Sequence, residues 1–124
     1  MIVVAQLAAA VAALLHVFFF VLESLRFRVP SVHRRFGVAA PDVDAVRPWA
    51  FNQGFYNLFL GVGAGVGVVL LGTGPLTVAR TLVVFCCASM AGAGLVLLAT
   101  DRRMARAALV QLVPPLIAVV AVVV

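Results

Sequence analysis

The chain has 124 residues, of which 65% are hydrophobic and 10% charged, with a formal net charge of +5. So few charges cannot cover a soluble domain of this size, and continuous apolar runs without alternation exclude a membrane β-barrel. All nine basic residues are arginines, and no aromatic–basic module accompanies them, which excludes nucleic acid as an expected partner.

The first apolar stretch, residues 2–25, is long enough to cross a bilayer, which takes roughly 20 residues. It lacks a basic leader and is too long for a signal-peptide core, so a retained helix is expected. On one of its faces Ala5, Ala9 and Ala12 lead into His16, Phe19 and Glu23, while Val11, Phe18, Val21 and Leu25 point elsewhere. Residues 26–47 form a basic loop. It holds either a short interfacial helix capped by Ser31, with Val32 and Phe36 on one side, or an irregular solvated segment.

A second helix is expected over 48–71, with Pro48 in its first turn and Trp49 at the interface. Gly54, Gly61, Gly65 and Gly72 form one stripe with Asn57, and Gly63 and Gly67 form another. Small residues permit the close approach that drives helix association in lipid. Gly72 to Pro75 is a turn. A third helix over 76–99 offers Ala88, Ser89 and Gly92, with Gly94 nearby, as a receiving surface, and a fourth covers 104–124. The expected fold is all-α and integral to the membrane, a single four-helix transmembrane bundle over 1–124.

Eight arginines fall in or beside the first and third loops, against Arg80 alone on the other side. Positive loops face the cytoplasm, so both termini are expected on the extracytoplasmic side. Cys86 and Cys87 are adjacent within a span, where neither a disulfide nor a metal site has suitable geometry or further ligands. They read as buried thiols, and no metal or cofactor is expected.

Polar side chains within hydrocarbon are costly, on the order of 2.5–3.5 kcal/mol for an ionised one at a helix centre. The spans carry His16, Glu23, Asn52, Gln53, Tyr56, Asn57 and Gln111. His16 and Glu23 are two turns apart on one face, about 10 Å along the axis. By depth, Asn52 to Asn57 and Gln111 share the cytoplasmic half with Glu23. Pro114 and Pro115 withdraw helical donors from the carbonyls of Val110 and Gln111. Each residue also has a plainer role: Glu23 pairing with Arg26, His16 as a hydrogen-bonded interior histidine, and the amides as interhelical glue.

His16-x-x-Phe19 with Leu22-Glu23, the run Asn52-Gln53-Gly54-Phe55-Tyr56-Asn57-x-Phe59-Leu60, and Gln111 with Pro114 resemble the small four-helix bacterial membrane family known as domain of unknown function 1304. The resemblance covers nearly the whole chain. It implies a multi-pass protein of the bacterial inner membrane without an established activity. After the glutamate, Ser24-Leu25-Arg26 departs from the bulkier aromatic or methionine segment of the family pattern, and the first loop is longer and more basic.

Three functions fit these residues. The first is an intramembrane site that binds or processes a lipid-like or isoprenoid-like molecule. There His16 and Glu23 are the acid–base candidates, and Asn52, Gln53, Tyr56, Asn57 and Gln111 orient the ligand. The second is a small proton-coupled transporter, by architectural analogy alone. The third is a non-catalytic accessory subunit docked through its small-residue stripes. The expected partners are membrane lipid, a hydrophobic small molecule and a second copy in a homodimer.

Overall fold

The computed structural model describes all residues, 1–124, and contains no strand. Helix α1 covers Ile2–Phe20 and runs on into a wide π turn over Val21–Leu25. Then come α2 at Pro30–Arg35, α3 at Val43–Thr73, α4 at Leu76–Thr100 and α5 at Ala105–Val123. Short 3-10 turns at Ala40–Asp42 and Arg102–Met104 lead into α3 and α5. By length and composition four stretches can cross a membrane: Ile2–Leu25, Ala40–Thr73, Leu76–Thr100 and Arg102–Val123. The chain divides into two compact units, residues 1–15 with 60–124 and residues 16–59.

The first unit is held by small side chains. Ala5, Ala9 and Ala12 of α1, Ala64 of α3, Ala79 of α4 and Ala118 of α5 are fully buried. With no hydrophobic drive between helices in lipid, backbones must approach closely to gain dispersion energy. The glycines of α3 show how. A Cβ on Gly63 would sit 2.7 Å from the Cys86 sulfur, and one on Gly67 would sit 2.8 Å from a Val83 methyl. The α4–α5 contact is closer to the backbone: a Cβ on Gly94 would lie 3.1 Å from the Ala108 carbonyl oxygen. Gln6 of α1 adds a polar link, its amide donating to the Val68 carbonyl at 3.3 Å.

Two packing expectations are corrected. Nothing lies within 4 Å of a Cβ placed on Gly65, so this glycine does not share the packed stripe. The buried face of α4 carries Val83, Cys86, Cys87, Met90 and Gly94, while Ala88, Ser89 and Gly92 are exposed. Small size permits an approach but does not choose the face. The helical repeat starting at Ala79 does, and it turns Ala88 and Gly92 outward. Ser89 is compatible with that exposed face because its hydroxyl donates to the Phe85 carbonyl at 2.8 Å.

In the second unit the basic loop does form a short helix, but not with the expected cap. Extended Val29 precedes α2, and Pro30 occupies its first position, where the missing N–H costs nothing. The helix ends in a Schellman turn. Gly37 takes φ 73°, Gly37 N–H donates to Arg34 and Val38 N–H donates to His33. His33 is buried, and its Nδ1 lies 2.7 Å from the Val38 carbonyl, tying the turn a second time.

Helix α3 starts at Val43 rather than at Pro48, which lies inside it. The proline removes only the donor to the Asp44 carbonyl, in the exposed first turn. Asp44 suits that turn's dipole and pairs with Arg28 at 3.0 Å. Both side chains are largely exposed, so the pair contributes on the order of 0–1 kcal/mol.

Substitution separates the two kinds of glycine. Gly67→Leu is expected to destabilise the protein by about 1–3 kcal/mol through overpacking against Val83. Gly65→Leu should be close to neutral. Thermal unfolding of both variants in mild detergent checks this, and equal losses would contradict the packing described.

Candidate functional site

Glu23 lies in the π turn, which the Arg26 N–H closes by donating to the Val21 carbonyl, five residues back, at 2.9 Å. A π turn takes more residues per revolution than an α turn, so neighbouring side chains diverge less. That brings Glu23 and Ser24 together against α3. The Asn57 Nδ2 donates to Glu23 Oε2 at 2.6 Å. The Ser24 hydroxyl donates to the Phe51 carbonyl at 2.8 Å, using a lone pair that the α-helical bond leaves spare.

Between these two bonds lies Gly54, in the row of Phe51 and Asn57. A Cβ there would collide with the Ser24 hydroxyl. The short Phe51–Gly54–Asn57 stripe is therefore the surface on which the π turn rests. Phe20 closes one side, packed edge-on against Phe55 with ring centres 5.0 Å apart.

A groove of about 360 Å³ opens beside the carboxylate. Its wall includes Glu23, Phe27, Phe36, Trp49, Asn52 and Gln53. Phe27 is buried and packs on Phe36, their ring centres 6.1 Å apart, while Trp49 is 78% exposed. Glu23 is the only charged residue in the lining. It makes no ion pair with Arg26, so the simple interfacial pairing is replaced by the bond to Asn57. A carboxylate accepts up to about four hydrogen bonds, which leaves acceptor capacity for a ligand.

The other anticipated residues are distributed unevenly. Asn57 is 7% exposed, whereas Asn52 and Gln53 are exposed at the groove. Tyr56 is 60% exposed and faces outward, a correction to the interior position read from its depth. The cause is angular: successive helical residues are about 100° apart, so turning Asn57 towards Glu23 swings Tyr56 away. His16 is 1% exposed and packs edge-on against Phe19 at 5.3 Å. Gln111 belongs to the first unit, half-buried in α5.

Sequence reasoning did not single out Ser24, Phe27, Phe36 or Trp49 for the site. The one available signal was Ser24 itself, a small polar residue beside Glu23 in an otherwise apolar span. His33, likewise unassigned, lines a separate depression with Pro30 and Arg34.

The Ser24–Gly54 contact makes a coupled pair. Gly54→Ala alone is expected to cost about 1–3 kcal/mol by overpacking, and Ser24→Ala about 1 kcal/mol through its lost hydrogen bond. Since Ser24→Ala also removes the clashing oxygen, the double variant should recover at least half of the Gly54→Ala loss. A double-mutant cycle on thermal unfolding reads this directly, and additive losses would refute the contact.

Neither the curated proteins nor the solved structures contain a significant match to this chain. A match to one family extends over residues 10–123 and takes in the second half of α1, the π turn, the groove and helices α2 to α5. The chain belongs to that family, described as "Protein of unknown function (DUF1304)".

Proposed function

We propose that this protein binds an amphiphilic, lipid-like or isoprenoid-like molecule within the bilayer, with the polar end of the ligand at Glu23. The observation that carries this reading is the Glu23–Asn57 bond at the edge of the groove flanked by Asn52 and Gln53. A carboxylate held near hydrocarbon costs free energy unless it is paired or used. Here one neutral amide partners it, and acceptor capacity remains beside an opening large enough for a small ligand. The arginine-rich loops support a cytoplasmic side for this end of the spans.

In this reading Asn57 orients the carboxylate, while Asn52 and Gln53 donate to or accept from the ligand's polar atoms. Glu23 is the group able to exchange a proton with the ligand, and His16, two turns earlier on the same helix, is the second acid–base candidate.

The test is extraction in mild detergent followed by mass spectrometry of the retained lipid. Wild-type protein is expected to hold a specific amphiphile. Glu23→Gln and Asn57→Leu should lower its occupancy by about tenfold, the size of one lost charge-assisted bond of about 1.5 kcal/mol. Unchanged occupancy in Glu23→Gln and in His16→Ala would overturn the reading.

A further inference from the structure

The lining of the groove selects among polar heads. Its single charge is negative, it contains three aromatic rings, and none of the chain's nine arginines lines it. From this juxtaposition we infer that the groove receives the ammonium headgroup of a zwitterionic phospholipid, an assignment that rests on the amphiphile-binding reading and narrows it. Glu23 supplies the counter-charge. Phe27, Phe36 and Trp49 supply aromatic rings, whose faces attract an ammonium through their quadrupoles. Asn52 and Gln53 line the same opening, and each carries an amide oxygen able to accept from an ammonium.

The surroundings set the rest of the ligand. Arg26, Arg34, Arg35 and Arg47 belong to the same unit and are exposed, without lining the groove. Arg28 is engaged by Asp44. A negative lining, with Arg26, Arg35 and Arg47 next in sequence to the lining residues Phe27, Phe36 and Val46, is the complement of a headgroup whose ammonium is tethered to a phosphate. An anionic lipid without an amine would offer the arginines their phosphate but leave Glu23 facing nothing positive.

Depth points to the same occupant. Glu23 lies two residues before the end of the apolar stretch Ile2–Leu25, and the exposed Trp49 is of the type that marks the level of the headgroups. A membrane lipid brings its ammonium to that level without leaving the bilayer.

Trp49 is the chain's only tryptophan, so the groove carries its own reporter. The protein is reconstituted into phosphatidylglycerol vesicles containing increasing fractions of phosphatidylcholine spin-labelled on the choline, and Trp49 quenching is followed. Saturable quenching is expected, reversed by unlabelled phosphatidylcholine or phosphatidylethanolamine and not by added phosphatidylglycerol or free choline. Glu23→Gln should raise the labelled fraction needed for half-quenching about tenfold. Phe36→Leu, which keeps an apolar wall but removes a ring, should raise it about threefold.

Equal competition by phosphatidylglycerol would overturn the ammonium assignment while leaving an amphiphile site in place. Reversal by free choline would overturn the lipid as its source. Quenching that never saturates and that Glu23→Gln does not alter would remove both the assignment and the reading beneath it.

Discussion

A carboxylate at the edge of hydrocarbon needs a partner, and the second unit is arranged to supply one. Glu23 receives the Asn57 amide because the helix carrying it widens by one residue at Val21–Leu25 and because α3 presents Gly54 one turn before Asn57. The Ser24 bond to the Phe51 carbonyl secures the same contact from the neighbouring position. Remove any of these conditions and the charge loses either its partner or its place. The charge at the groove and the proposed ligand both presuppose that Glu23 is held where Asn57 meets it.

The first unit solves a different problem with the same economy of size. Its alanines and glycines bring backbone close to side chain, as at Gly67 over Val83, and backbone close to backbone, as at Gly94 over Ala108. Polar groups are few. Gln6 bonds across to Val68, and the exposed hydroxyls of Thr73, Thr81, Ser89 and Thr100 bond to their own helices four residues back. This unit is stabilised by contact area, and its exposed hydroxyls are satisfied within their own helices.

Much of this was readable from residue order, within definite limits. Hydropathy gives four spans because length and apolar composition are one-dimensional quantities, and the face carrying Ala5, Ala9, Ala12 and His16 follows from the α-helical period. That period fails at Glu23, where an i→i+5 turn leaves no mark in composition, so Ser24 was passed over. Pro48 looked like a helix start because proline favours first turns, yet an exposed first turn tolerates losing one donor and α3 begins at Val43. On α4 the small residues Ala88, Ser89 and Gly92 marked a surface able to pack. Val83, Cys86 and Met90 form the one that does, since partner choice depends on neighbours that a linear pattern does not contain. The aromatic wall was hidden for a similar reason: Phe27, Phe36 and Trp49 come from three separate segments.

The widened turn also bears on how this sequence can change over time. A π turn is an α-helix that has taken in one supernumerary residue, so its presence is a matter of reading frame along the helix as much as of side-chain chemistry. A single-codon deletion between Val21 and Leu25 would restore regular winding and rotate one side of the turn against the other by about 100°. The acidic residue would survive in the gene and still be parted from its amide. Length in this short stretch therefore matters to the pairing as much as identity does, since the same letters one residue short would not bring the carboxylate to its amide.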